Sequence, residues 1–227
     1  MSIEGVDRYN PENIGVLEKK LEQQDSYDLN SSLALLKLYQ FNPDQTKIPV
    51  VKSILSKALA HFPEPDFSLC LSLLPGVLED EELGEEEEGE VIGKMVALRK
   101  EVTPILNVAD ALERADFVQV WKLLGKDYPE LHQPIRNCIA ETIANAAQVV
   151  RLQYLAQALH LESQALNEFS QSRSWVIEGE LVKIPLNRDN QAKTNTQQQL
   201  TKLHGQFFFL SFFILIFYFL RSFYSFH

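Results

Sequence analysis

The stretch that most constrains the fold of this chain runs from Tyr27 to Pro43, with the sequence YDLNSSLALLKLYQFNP. Asp28 is a residue type that begins helices, because its carboxylate accepts hydrogen bonds from the free amides of the first turn. The leucines that follow recur at helical spacing but cover more than one face. Asn42-Pro43 then ends the pattern, because the residue before a proline is pushed out of the helical region. The stretch therefore predicts a helix that is packed on more than one side.

Helical signals continue through the first 150 residues. Asn10-Pro11-Glu12 combines an N-cap, a proline at the first helical position and an early acid, and it predicts a helix that runs to about Gln24. Pro104 is predicted to begin a helix, and Pro134 to Val150 is predicted to form a long one. Many helices with short connections are typical of antiparallel stacks. Residues 1–150 are therefore expected to form an all-α helical-repeat, HEAT-like stack.

The pattern changes after this stack. Two short amphipathic segments, 152–159 and 164–172, precede two strand-like runs, 175–177 and 181–184, which flank a glycine-containing turn. Helix, helix, hairpin is the order of a winged helix. Residues 151–190 are therefore expected to form a C-terminal winged helix with a small β-hairpin, and the sequence leaves open whether this domain is complete.

An acidic segment interrupts the helical region. Residues 79–90 contain nine acidic residues, which supply most of the formal net charge of −10. Like charges at this density repel one another, so the segment is interpreted as a solvated loop rather than a docking strip for a basic partner. The segment 151–193 carries five basic and five acidic residues. A nucleic-acid reader needs a clustered basic face, so protein contact is favoured, and RNA contact is the minority alternative.

No arrangement of residues indicates catalysis, a cofactor or a metal. The five histidines are scattered, and the sequence has no glycine-rich phosphate loop, nucleophile elbow or zinc-type cysteine pair. Cys70 and Cys138 each lie among apolar residues and are interpreted as buried thiols. We therefore predict that the protein is not an enzyme.

Four residues are candidates for a surface that contacts partners: Trp121, Arg173, Trp175 and Lys183. Arg173 and Lys183 are the bases near the second helix and the hairpin of the predicted winged helix. Each tryptophan is either a packing anchor or, if it is exposed, an interface hot spot.

The C-terminal segment 191–227 differs from the rest of the chain. A polar linker leads into FFFLSFFILIFYFL at Phe207–Leu220. A bilayer-spanning helix needs about 20 mostly apolar residues, so this run is short for a membrane anchor. A buried helix, an aggregation-prone strand and translated non-coding sequence are the other interpretations, and we favour the last. We expect the segment to lie outside the fold.

The N-terminus has no secretory signal, which predicts a cytoplasmic protein.

Three motifs connect the chain to a known family. DRYNPEN at 7–13, LALLKLYQFNP at 33–43 and DFSLC at 66–70 resemble the family of subunit K of the eukaryotic translation initiation factor 3 complex. The resemblance extends from about Gly5 to about Asp189. It implies a helical-repeat domain followed by a winged helix, an arrangement similar to PCI-type scaffold proteins.

The resemblance also implies a function and partners. It predicts a non-catalytic scaffold subunit that supports translation initiation at the small ribosomal subunit through contacts with other subunits of the complex, subunit L above all. Two alternatives are a PCI-type scaffold of another large complex, such as the proteasome lid or the signalosome, and a membrane-tethered adaptor. The motifs favour subunit K, because similarity of fold alone does not reproduce them.

Overall fold

The helices of this protein pack mainly against helices that lie one or two places away along the chain. The computed structural model describes residues 10–23, 27–74 and 90–191. These ranges contain nine α-helices and three short strands. The elements, in order, are α1 (Ile14–Gln23), α2 (Leu29–Phe41), α3 (Ile48–Leu59), α4 (Asp66–Leu71), α5 (Glu90–Glu113), α6 (Phe117–Leu124), α7 (Pro129–Ala146), β1 (Val149–Arg151), α8 (Leu152–Leu159), α9 (Ser163–Ser172), β2 (Val176–Glu178) and β3 (Leu181–Lys183). The described part of the protein is thus mostly helical with one small sheet.

The helix predicted from Tyr27 to Pro43 is confirmed as α2. Asp28 Oδ1 accepts a hydrogen bond from the Ser31 amide at 3.2 Å, which is the expected N-cap. Leu35 and Leu36 are fully buried, and α2 contacts α1, α3 and α4. The contacts with three helices explain why this segment is apolar on more than one face.

The prediction that a helix begins at Pro104 is wrong. α5 is one continuous helix with Pro104 in its interior. Proline removes one backbone hydrogen bond from a helix, but Val102 and Ile105 on either side of it are fully buried. Burial of these side chains offsets the lost bond, so tertiary packing overrides the local signal.

The predicted helix from Pro134 to Val150 has other bounds in the structure. α7 begins at Pro129 and ends at Ala146, with Pro134 inside it. Pro129 and Glu130 occupy its first turn, where a proline needs no hydrogen-bond partner and an acid faces the helix dipole. Val150 belongs to strand β1 instead.

The three strands form one antiparallel sheet in the order β1-β3-β2. The predicted hairpin is confirmed as β2 and β3, and Gly179 in its turn has a φ of 62°, which glycine adopts readily. Sequence reasoning missed β1, which pairs with the other side of β3. Val182 in the middle of β3 is fully buried and joins the hydrophobic core.

Two predictions fall on residues outside the described ranges. These are the acidic segment 79–90, apart from Glu90 in α5, and the C-terminal segment 191–227, apart from Gln191. Among the residues that the structure describes, no helix combines the length and the hydrophobicity required to cross a bilayer.

Candidate interaction surface

Trp121 anchors α6 against α7 and α8. It is 7% exposed, and its Nε1 donates a hydrogen bond to the Ala158 carbonyl at 2.7 Å. Its ring stacks on His160 with 5.6 Å between centroids, and the Arg136 guanidinium lies 5.2 Å from the ring centroid. A tryptophan with a satisfied N–H and a covered ring offers little surface to a partner. The sequence left two roles open for Trp121, packing anchor and interface hot spot, and these contacts support the packing role.

Trp175 and Arg173 meet at Phe169. Trp175 is 6% exposed and packs edge-on against the Phe169 ring with 6.3 Å between centroids. The guanidinium carbon of Arg173 lies 5.2 Å from the centroid of the same ring. Arg173 is half-buried, and its Nη2 donates to Asn137 Oδ1 at 3.2 Å. Trp175 is therefore a core residue, whereas Arg173 is a partly exposed cation fixed by an aromatic ring.

A polar network on α7 connects the two tryptophan environments. Arg136 donates from Nε to the Leu159 carbonyl at 3.1 Å and from Nη1 to Gln133 Oε1 at 3.1 Å. Gln133 Nε2 in turn donates to Asn137 Oδ1 at 3.3 Å, the oxygen that also accepts from Arg173. Three of the four candidate residues are therefore connected through α7. The sequence analysis did not predict this network. The signal that could have indicated it is the set of polar residues next to the buried apolar stripe of an amphipathic helix.

Lys183 lies on an exposed face of the sheet. Its Nζ forms an ion pair with Glu178 Oε2 at 2.6 Å. Its neighbours across the sheet are Val149 and Val176, which are 48% and 54% exposed. An exposed ion pair contributes little to stability, so nothing in these contacts gives Lys183 a packing role.

The described residues do not assemble a reactive centre. Burial, with a smaller effect of the Asp66 charge, raises the pKa of the Cys70 thiol to about 12. Burial also raises the pKa of the Cys138 thiol. Both thiols are thus protonated near neutral pH, which makes them poor nucleophiles. Within the described ranges no three metal-ligating side chains lie together.

Comparison with known sequences identifies the class of protein. Residues 45–196 match the CSN8/PSMD8/EIF3K family. This match covers more than half of the chain, and the chain therefore belongs to that family.

Within that class, the chain is similar to proteins named eukaryotic translation initiation factor 3 subunit K. The protein from Phaeosphaeria nodorum is 37% identical over 88% of this chain and 86% of its own length. The protein from Anopheles gambiae is 34% identical, with coverage of 83% and 81%. The protein from Aspergillus oryzae is 32% identical, with coverage of 87% and 85%. The resemblance indicated by the sequence motifs is confirmed.

Proposed function

We propose that this protein is a non-catalytic scaffold subunit of the eukaryotic translation initiation factor 3 complex. It supports translation initiation at the small ribosomal subunit through protein contacts in the cytoplasm. The observation that carries this proposal is the similarity to subunit K, at 37% identity over 88% of the chain. The family match over residues 45–196 includes helices α3 to α9 and all three strands, so the similarity is more than one shared motif.

We infer a HEAT-like helical-repeat domain at 1–150 and a PCI-like winged helix at 151–190. Contacts between α1 and α2, α3 and α4, and α5 and α6 support the first domain. The order α8, α9, β2, β3 supports the second, with β1 at the junction completing the sheet. The segment 191–227 is proposed to lie outside both domains.

A scaffold acts through the surfaces that it presents. Arg173 and Lys183 are proposed to contact partner subunits, whereas Trp121 and Trp175 support that surface from within. Subunit L is the proposed direct partner. RNA contact is the weaker possibility, because basic and acidic residues balance in the segment 151–193.

The test is affinity capture of the tagged full chain from a lysate at low salt, followed by mass spectrometry. We expect recovery of the other factor 3 subunits in comparable amounts. Co-expression with subunit L and size-exclusion chromatography then test the direct contact, which predicts one shared peak. Recovery of no factor 3 subunit would contradict the proposal.

A scaffold of the signalosome or of the proteasome lid is the second candidate, because the family also includes CSN8 and PSMD8. Capture of those subunits in place of factor 3 subunits would favour it. A membrane-tethered adaptor depends on Phe207–Leu220, which lies outside the described residues. Cell fractionation of the full chain beside a chain that ends before Gln206 tests that alternative: loss of the chain from the membrane fraction on truncation would favour it.

A further inference from the structure

A wide groove lies between the start of α8, α9 and the β2-β3 hairpin. Its volume is about 1300 Å³. Pockets that enclose small molecules usually measure about 300–1,000 Å³. The size and openness of this groove, which we call the α9 groove, suit a segment of polypeptide better than a small molecule.

The floor of the α9 groove is apolar. Leu152, Ala156 and Leu161 are half-buried there, and Leu181 of β3 is 46% exposed. These side chains come from α8, the turn before α9 and the hairpin, so they form one surface from separate parts of the chain. Apolar surface in a concave site favours the docking of an apolar side of a partner.

The rim of the α9 groove is acidic. Glu162, Glu178 and Glu180 line it, and Arg151 is the one basic residue among the described residues that line it. A hollow at the start of α9 shares Glu162 and adds Glu168. Glu178 is paired with Lys183. The remaining exposed carboxylates, those of Glu162, Glu168 and Glu180, still outnumber the one guanidinium, so the rim repels phosphate groups and attracts basic side chains.

We propose that the α9 groove binds a basic amphipathic segment of a partner protein. The apolar side of that segment packs on Leu152 and Leu181, and its lysine or arginine side chains approach Glu162 and Glu180. Charge complementarity excludes nucleic acid as the occupant and defines the chemistry of the partner. The inference rests on the proposed function in one respect: the proposed function makes that partner a factor 3 subunit.

The test uses the full chain and a short fluorescein-labelled peptide of the repeat LKKLLKL, with binding measured by fluorescence polarisation. We expect the double variant Glu162→Lys/Glu180→Lys to weaken binding by about tenfold or more, because each reversal replaces attraction with repulsion. The double variant Glu64→Lys/Glu113→Lys is the matched control, since it changes the net charge equally at exposed residues outside the groove. It should bind within about twofold of the unchanged chain.

Three further arms locate the binding. Leu181→Ser should weaken peptide binding by about threefold or more, because it removes apolar surface from the floor of the groove without changing any charge. Replacing Glu85–Glu88 with glutamine should leave it unchanged, which excludes the acidic segment as the binding site. A peptide with glutamate in place of every lysine should not bind. Thermal unfolding followed by circular dichroism establishes that each variant is folded.

The proposal is overturned if the groove variants bind the LKKLLKL peptide as tightly as the control, or if only the Glu85–Glu88 variant loses binding. Displacement of the peptide by a single-stranded RNA, or a dimer of this chain that the groove variants abolish, would assign the groove to another occupant and overturn it as well. Capture of factor 3 subunits by the groove variants is measured separately. If the groove variants lose peptide binding but still capture factor 3 subunits, the groove binds basic amphipathic segments but its partner is not a factor 3 subunit. If the unchanged chain captures no factor 3 subunit, only the proposed function is contradicted.

Discussion

Glu18 is a buried carboxylate that joins α1 to α2 and to the start of α3. Its Oε1 accepts a hydrogen bond from the Tyr39 hydroxyl at 2.6 Å, and its Oε2 accepts one from Lys47 Nζ at 2.6 Å. Burial raises the pKa of this carboxyl, but the hydrogen bonds from Lys47 and Tyr39 outweigh burial and hold the pKa below its ordinary value. A buried charge needs such partners to be tolerated.

Tyr39→Phe is expected to lower the free energy of unfolding by about 1.5–3 kcal/mol, because a hydrogen bond to a buried charge is lost. Denaturation in urea measures the change. Tyr154, which is 46% exposed, provides the matched control: Tyr154→Phe should change the free energy by less than about 0.5 kcal/mol. Equal effects of the two substitutions would contradict the role assigned to Glu18.

The carboxyl group of Asp28 is expected to make the free energy of unfolding depend on pH. Hydrogen bonds from Lys20 and Ser31, with an opposing effect of burial, lower the pKa of its carboxyl to about 2. The unfolded chain takes up this proton near pH 4. The stabilisation is therefore complete above about pH 4 and is lost as the pH falls toward 2.

Asp28→Ala is expected to cost about 1–2 kcal/mol at neutral pH, because the N-cap of α2 is lost. The variant should also show a smaller fall in stability between about pH 4 and pH 2 than the unchanged chain. Urea denaturation at a series of pH values measures both. An unchanged slope in the variant would contradict the low pKa.

At the scale of whole elements, the sequence predicts those whose ends carry side-chain or proline signals. α2 has both Asp28 and Asn42-Pro43, and its position is correct. Pro104 and Pro134 resemble helix starts, but burial around them outweighs the local signal, and burial depends on contacts that the sequence does not display. β1 is three residues long and gains its hydrogen bonds from β3, more than 25 residues away, so no local pattern indicates it.

Pro104→Ala is expected to raise the free energy of unfolding by about 1–2 kcal/mol, because alanine supplies the missing amide inside α5. Pro129→Ala is the matched control: Pro129 occupies the first turn of α7, where no amide bond is missing, so no gain is expected there. Thermal and urea unfolding measure both. A loss of stability in Pro104→Ala would contradict the account of α5.

At the scale of the molecule, the sequence indicates the family and the candidate residues, but not their exposure. The sequence favours a packing role for Trp121 and Trp175, but it does not exclude an interface role until their neighbours are known. His160 and Arg136 cover Trp121, and neither is near it in the sequence. The network on α7 depends in the same way on side chains from separate helices, so it follows from the fold and not from any motif.

Packing and partner contact can be separated by two substitutions. Trp121→Ala should lower the free energy of unfolding by about 3–5 kcal/mol, because a large buried side chain is removed.

Lys183→Glu should leave the free energy of unfolding within about 0.5 kcal/mol of that of the unchanged chain but weaken the capture of partner subunits. Urea denaturation and quantitative mass spectrometry of captured proteins measure the two effects. Undiminished capture by Lys183→Glu would remove Lys183 from the interface.

Purification of translation initiation factor 3 through another of its subunits tests whether this chain belongs to the complex. The complex is isolated by a tag on subunit L, and its composition is measured by native mass spectrometry. We expect this chain to be present in an amount equal to subunit L. An intact complex that lacks this chain, or recovery of this chain only with the signalosome or the proteasome lid, would contradict it.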